Sequence, residues 1–285
     1  MRKLKLSVRR KTLNQIYVLF LRPILEYSSV VWDNCTQYEK DRLEKVQIEA
    51  ARIVTGTTRY ITLNNLYKEI GWLTLEDRRK YQKLVLTFKI RNNMVPDYLS
   101  TLFPRQVRES VQYNLSNQND FVIPTRRTTL CERSFVPSAI QQWNSLPLIV
   151  RNIQSLSLFK CEFLRTMFPT RVVPPHFMHG NRLLSILHTR LRNNCSDLKH
   201  ELFINHVSDH DLCFYCNVIE NVDHYFFHCN RYRNERLQLF RETRHLHPLN
   251  CKLLLYGSNT FTHEDNITIV EAVHKYIKDT KRFTS

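Results

Sequence analysis

The sequence is poor in glycine and contains no long apolar run. Only four glycines occur in 285 residues, which disfavours glycine-rich phosphate loops and tight hairpins and therefore favours helices. No apolar run reaches the length of about 18 residues that a membrane-spanning helix needs. The basic start of the chain is not followed by the short apolar run and small-residue cleavage site of a secretory signal. We therefore expect a mainly α-helical protein with no membrane partner.

Several enzyme signatures are also missing. The chain contains no adjacent pair of aspartates, no G-x-S-x-G, no Walker phosphate loop and no H-E-x-x-H. Its histidines are scattered, and no nucleophile has a base at a workable spacing. Acidic residues in the expected helices lie at capping or i,i+4 positions. We therefore expect the chain not to be an enzyme.

Positive charge is what the chain has in excess. Forty-two lysines and arginines stand against 26 acidic residues, a formal charge of +16. Residues 1–180 carry 28 basic and 14 acidic side chains, whereas residues 181–245 carry nine and eight. Such an excess is typical of proteins that bind nucleic acid. The candidate phosphate contacts are Arg9, Arg10, Lys11, Arg78, Arg79, Lys80, Lys83, Arg126 and Arg127.

The partner indicated by this charge is RNA and/or DNA, held mainly through its phosphates. Because residues 181–245 are almost neutral, we expect most phosphate contacts to lie within residues 1–180. For the basic residues at 9–11 and 78–83, the alternative is an ordinary solvated surface. Two tyrosines in the later segment, Tyr215 and Tyr225, are candidates for stacking on a base.

Three cysteines and a histidine lie close together near the end of the chain. They follow the pattern C-x2-C-x7-H-x4-C, and the four candidate metal ligands are Cys213, Cys216, His224 and Cys229. Thiolates and imidazole favour zinc over calcium or magnesium. Four protein ligands leave no position for a catalytic water, so the pattern predicts a closed, structural zinc site. The alternatives are His228 in place of His224, or buried thiols without a metal.

The eight cysteines of the chain are irregularly spaced. With three assigned to a metal, they suit a reducing compartment better than a disulfide framework. We therefore expect an intracellular location, nuclear and/or cytoplasmic.

Hydrophobic periodicity predicts helices along most of the chain. The expected helices are 12–25, 38–54, 62–70, 137–146, 155–168, 181–203, 231–245 and 265–281. One more is expected to begin at a cap on Thr74 and to reach about Arg91. Short extended pieces are expected at 121–123 and 128–130. A proline-containing linker at 171–180 would separate a basic helical region, 1–170, from a helical domain with the zinc module, 181–285.

Four segments, in order, resemble one protein family. They are LRPILEYSSVVWDN (Leu21–Asn34), LEKVQIEAARIVTG (Leu43–Gly56), RRKYQKLVLTFKIRNNMVPDYL (Arg78–Leu99) and SFVPSAIQQWNSLP (Ser134–Pro147). They look like the region beyond the polymerase palm in jockey-like, non-LTR (LINE-type) retrotransposon reverse transcriptases. The final cysteine–histidine pattern resembles the motif that closes many of those polyproteins.

The resemblance implies a carboxyl-terminal part of such an enzyme. A helical thumb- and connector-like region would precede a small helical zinc-binding module. The palm, with its metal-binding aspartates, and the endonuclease have no counterpart in the chain. The expected function is therefore that of a nucleic-acid-binding remnant without polymerase activity. The alternative is a zinc-stapled structural or protein-interaction module that binds no nucleic acid.

Overall fold

A computed structural model describes residues 1–104, 107, 120–123, 128–168, 172–246 and 248–283. Within these residues the chain is mainly helical, as expected, and contains no strand; an isolated antiparallel bridge joins Leu212 and Ile219. The α-helices are α1 (Arg10–Ile16), α2 (Arg22–Glu26), α3 (Ser29–Trp32), α4 (Gln37–Thr55), α5 (Leu63–Ile70), α6 (Leu75–Arg91), α7 (Asp97–Ser100), α8 (Thr129–Arg133), α9 (Phe135–Asn144), α10 (Leu148–Arg151), α11 (Leu156–Met167), α12 (Arg182–Arg192), α13 (Lys199–Ile204), α14 (Arg233–Glu242), α15 (Cys251–Tyr256) and α16 (His263–Thr280).

Several helices begin where a threonine side chain can cap them. The hydroxyl of Thr74 accepts a hydrogen bond from the backbone N–H of Asp77 at 3.0 Å, so the predicted start of α6 is confirmed. Thr262 and Asp265 form a reciprocal capping box at the start of α16. Such caps satisfy backbone N–H groups that have no partner inside the helix.

Three local predictions differ from the structure. The expected helix over 181–203 is two helices, α12 and α13, because the chain turns between them with Asn194 at a left-handed φ of 50°. The extended piece expected at 128–130 is wrong, since Thr128 caps helix α8. Residues Tyr17–Leu21, expected in one regular helix, form a π-helical turn between α1 and α2. Helix α15 was not predicted.

The chain divides into two compact units. Unit 1 comprises Met1–Phe20, Ile48–Trp72 and Val172–Ser285, and unit 2 comprises Leu21–Gln47 and Leu73–Arg171. The expected linker at 171–180 therefore contains the point where the chain enters the last segment of unit 1. That unit also takes in two segments of the expected 1–170 region.

Unit 1 encloses a large aromatic and aliphatic core. Its fully buried members include Leu191, Tyr225, Phe226, Leu239, Ile269, Val273 and Tyr276. Arg182 of α12 donates hydrogen bonds to the carbonyl oxygens of Ile53 and Val54 at the end of α4. A guanidinium in this position satisfies carbonyls that lack a partner inside the helix and complements the helix dipole.

A buried ion network also belongs to unit 1. The Glu69 carboxylate accepts hydrogen bonds from Arg10 at 2.7 Å and from Arg192 at 2.9 and 3.0 Å. All three side chains are nearly inaccessible to solvent. The network joins α1, α5 and α12.

Unit 2 packs α6, α9 and α11 around Phe88, Trp143, Phe159 and Phe163. Asp33, which follows α3, accepts from Arg79 at 2.8 Å and from Lys83 at 2.7 Å. The polar side of α6 is therefore attached to the preceding helices through ion pairs.

Candidate metal centre

The first two candidate ligands lie on a tight turn. The backbone N–H of Cys213 donates to the Val218 carbonyl at 2.7 Å, and that of Asn217 donates to the Cys213 carbonyl at 2.9 Å. Asn217 closes the turn with a positive φ of 52°, a conformation that asparagine tolerates better than most residues. The turn brings the sulfurs of Cys213 and Cys216 to the same side of the chain.

The second pair flanks a π-helical turn, His224–His228, which His224 begins and Cys229 follows. The side chain of Asn221 accepts from the His224 backbone N–H at 2.8 Å, and the Cys229 N–H donates to the His224 carbonyl at 2.8 Å. A five-residue separation matches the period of this turn. His224 and Cys229 are therefore presented to the same point in space.

The four ligand atoms converge. They lie within 4.8 Å of one another, and the Cys229 sulfur is 3.9 Å from the sulfurs of both Cys213 and Cys216. Two sulfurs bound to one zinc at about 2.3 Å in tetrahedral geometry would be about 3.8 Å apart. A disulfide would require about 2.05 Å. The spacing therefore fits a shared metal ion.

The chemical state of the donors agrees with this arrangement. The Nε2 atom of His224 is buried and has no hydrogen-bond partner, and burial lowers the pKa of this imidazole, which favours the neutral, metal-binding form. Burial raises the pKa of Cys229 to about 12, so its thiolate needs a nearby cation. A soft divalent metal ion bound at this cluster would supply that charge. The Asn230 backbone N–H lies 3.4 Å from the Cys216 sulfur and can donate to it.

The rival ligand His228 lies outside the cluster. Its side chain is exposed and its Nε2 is 3.0 Å from the Asp223 carboxylate. Within the part of the chain that the structure describes, the converging group is Cys213, Cys216, His224 and Cys229, the predicted set.

The segment that carries the four candidate ligands is attached to the core of unit 1. Arg282, after α16, donates two hydrogen bonds to the Glu220 carboxylate at 2.7 and 2.9 Å. Burial alone would raise the pKa of Glu220, but the hydrogen bonds from Arg282 and from the Lys199 backbone N–H outweigh it, so the pKa lies below its usual value and the carboxylate stays ionised. Arg236 of α14 donates to the Cys229 carbonyl at 2.9 Å. A change at this cluster would therefore reach α14 and α16.

Several predicted phosphate contacts are engaged inside the protein, and for these the prediction is wrong. Arg10 is buried against Glu69, while Arg79 and Lys83 are buried against Asp33. Arg78 makes a two-pronged ion pair with Glu26 but is only half-buried, so its phosphate contact stays a prediction. Tyr225 is fully buried, with its hydroxyl 2.8 Å from that of Thr280, so no base can stack on it.

The remaining candidates are accessible or lie outside the described residues. Arg9, Lys11 and Lys80 are exposed, and Tyr215 is 56% exposed. The Lys80 ammonium group forms an ion pair with the Glu76 carboxylate at 2.7 Å. Arg126 and Arg127 lie outside the residues that the structure describes.

The candidate nucleic-acid contacts chosen from the sequence did not include a further group of exposed residues, which lies beside the metal ligands. Phe214, between the first two cysteines, is 92% exposed. The guanidinium carbon of Arg231 lies 4.4 Å from the centre of the Tyr215 ring. Exposed arginines follow the last ligand at Arg231, Arg233, Arg241 and Arg244. The sum along residues 181–245 concealed them, because acidic residues earlier in the segment, such as Asp197, Asp209 and Asp223, cancel the arginines of residues 231–245 in the count.

Comparisons with known proteins gave no match to any family model, curated protein or solved structure. Among the described residues, the helices are too short or too polar to cross a membrane. The chain is thus characterised by its helical fold and by a Cys₃His cluster that could hold a metal ion.

Proposed function

We propose that this chain holds one structural zinc ion and binds nucleic acid, as a carboxyl-terminal part of a non-LTR reverse transcriptase. The observation that carries the proposal is the convergence of three sulfurs and one unpartnered imidazole nitrogen. Three soft thiolates and an imidazole select zinc among the abundant divalent ions. Four protein ligands make the site structural. The ordered series of family-like segments supports the assignment to a reverse transcriptase.

Metal analysis of purified protein tests the zinc site. We expect one zinc per chain in the wild type and none in Cys216→Ser. The matched control is Cys161→Ser, which removes an exposed thiol from another part of the chain and should keep the metal. A wild-type protein without zinc would refute the site.

The formal charge of +16 supports nucleic-acid binding. The burial of Arg10, Arg79 and Lys83 removes them from the contact surface. We therefore assign phosphate contacts to the exposed cations, at Arg9 and Lys11 and along Arg233 and Arg241. Each phosphate neutralised on duplex DNA contributes about 0.9 to the slope of log K against log salt.

Binding titrations at several salt concentrations test this assignment. Arg9→Ala/Lys11→Ala and Arg233→Ala/Arg241→Ala should each lower the slope by about 1.8. The control is Lys40→Ala, a half-buried lysine paired with Asp33 at 3.5 Å, which should leave the slope unchanged. A wild-type chain with no salt-dependent affinity for RNA or DNA would exclude nucleic-acid binding.

A protein-interaction module is the second candidate function. It is favoured by exposed apolar side chains in unit 2, where Ile24, Tyr27 and Val31 are 73%, 78% and 75% exposed. Exposed groups of this kind mark interaction sites when they are contiguous. In that case the zinc would only stabilise the fold, and the titrations above would show no binding.

We further propose that the chain does not polymerise nucleotides, because it lacks the aspartate pair that would hold two catalytic metals. Purified protein should not extend a primer on a template. Incorporation that follows the template and persists through further purification would refute this.

A further inference from the structure

A small cleft adjoins the metal centre. It has a volume of about 220 Å³ and is lined by Cys213, Tyr215 and Arg231, among others. This is smaller than the roughly 300–1,000 Å³ of typical ligand pockets. The cleft therefore suits one small group of a larger partner better than a whole metabolite.

Aromatic side chains form the outer edge of this cleft. Phe214 and Tyr215 lie between two metal ligands, with ring centres 5.5 Å apart and planes at 80°. Because a metal would fix the sulfurs on both sides, the backbone that carries the two rings would be held in place. Exposure of 92% for Phe214 and 56% for Tyr215 leaves ring surface open to a partner.

The charge around the rings is positive. Arg231 stacks on Tyr215 at 4.4 Å, and Lys199, Lys281 and Arg282 also line the cleft. The acidic residue among the lining side chains, Glu220, is bonded to Arg282 at 2.7 and 2.9 Å. The cleft therefore favours an anionic partner that also carries flat apolar surfaces.

Resting on the nucleic-acid binding proposed above, we propose that this tip recognises unpaired bases in single-stranded RNA or DNA. One base stacks on the exposed ring of Phe214 or Tyr215, and an adjoining phosphate contacts Arg231. Stacking on aromatic side chains accepts any base, because every base has a π-face. A duplex hides its base faces in the stack, so it can use the cations but not the rings.

The test compares single strands with duplexes on the full chain. Fluorescence anisotropy would use a labelled oligothymidylate of about 15 nucleotides and a duplex of equal length. Phe214→Ala/Tyr215→Ala should weaken single-strand binding by about 5- to 100-fold and leave duplex binding unchanged. Arg231→Ala should lower the single-strand salt slope by about 0.7, whereas the aromatic variant should keep that slope.

Two controls separate stacking from loss of structure. Tyr38→Ala removes another exposed tyrosine that lies under an arginine, Arg42, at 5.9 Å, and should bind single strands as the wild type does. Phe214→Tyr/Tyr215→Phe keeps both rings and should also retain affinity. All variants should contain one metal per chain, because the altered side chains are not ligands.

The outcomes distinguish the two proposals. If wild type binds neither single strand nor duplex, the proposed function fails. If wild type binds both, but the aromatic variant loses affinity for both equally or for neither, the stacking site is refuted while nucleic-acid binding stands. Selective loss of single-strand affinity, with metal content intact, supports it.

Discussion

Glu69→Gln is the most informative change in the core of unit 1. The carboxylate of Glu69 accepts from two arginines, Arg10 and Arg192, and also from the Asn193 amide at 3.1 Å. A glutamine has nearly the same shape but carries no charge. The substitution therefore leaves two buried guanidinium groups facing a neutral partner.

The expected cost is about 3–5 kcal/mol of unfolding free energy, the range observed when one partner of a buried ion pair is removed. The protonation equilibrium gives a similar figure. Burial raises the pKa of Glu69, but Arg192 and Arg10 together lower it to about 2 from 4.5. A shift of this size corresponds to about 3 kcal/mol.

The same shift predicts a dependence on pH. Since the folded pKa lies below the unfolded value, the stabilisation is fully present above pH 4.5 and is lost as the pH falls from 4.5 towards 2. Other paired carboxylates titrate in this range, so the useful quantity is the difference between wild type and variant. That difference should shrink by about 3 kcal/mol across the window.

Urea denaturation at several pH values measures both effects. The control is Glu76→Gln, whose carboxylate pairs with Lys80 on the exposed surface of α6 and should cost about 0–1 kcal/mol. Adding Arg10→Met to Glu69→Gln should restore part of the stability by removing one uncompensated cation. If Glu69→Gln is no more destabilising than Glu76→Gln, the network does not hold α1, α5 and α12 together.

Three further changes test other parts of unit 1. Burial raises the pKa of Glu201 to about 7, so wild type should lose unfolding free energy as the pH rises from 4.5 to 7 and this carboxyl group ionises. Urea denaturation should show that Glu201→Gln loses about 2–3 kcal/mol less than wild type by pH 8, and an equal pH dependence would contradict the assignment. Gly56→Ala places a Cβ in steric overlap with the Ile186 side chain at a φ of 80° and should cost about 1–3 kcal/mol. Addition of Ile186→Ala should remove the overlap with the two Cγ atoms of Ile186 but not the backbone strain, and a fully stable single variant would show that the chain adjusts there. Cys216→Ser should raise amide hydrogen exchange over about residues 205–235, because metal binding and local folding are coupled, and unchanged exchange would mean that this segment folds without metal.

Features encoded by neighbouring residues could be predicted from the sequence. The start of α6 follows from Thr74 and Asp77, which lie three positions apart. The metal cluster follows from four ligands of suitable chemistry within 17 positions, Cys213 to Cys229. The partners at the start of α6 lie on one turn of chain, and the metal ligands lie on or next to two, at Cys213–Asn217 and His224–His228.

Features that depend on distant partners could not be predicted. Arg10 is 59 positions from Glu69, and Arg192 is 123 positions from it. No local pattern distinguishes such an arginine from its exposed neighbour Arg9. The break between α12 and α13 was concealed for another reason: Leu191 and Leu198 are both buried, so apolar periodicity continues across a turn.

The position of the positive field shows the limit of counting charge along the chain. By sequence, residues 181–245 are nearly neutral. In the fold, burial removes two acidic residues, Glu201 and Glu220, and two basic ones, Arg182 and Arg192, so it leaves the net balance of the segment unchanged. The arginines that follow Cys229, by contrast, are mostly exposed.

A polyanion interacts most strongly with charges at the surface, because an ion pair buried in the core presents almost no net field. Pairing of Arg10, Arg79 and Lys83 with internal carboxylates weakens the contribution of the amino-terminal region. Exposure of Arg231 and Arg233 beside the metal ligands strengthens that of the zinc segment. Within the segment that is neutral by count, the exposed arginines after Cys229 therefore form a local positive group, and a metal ion bound by the cluster would fix the turn that carries Tyr215 beside it.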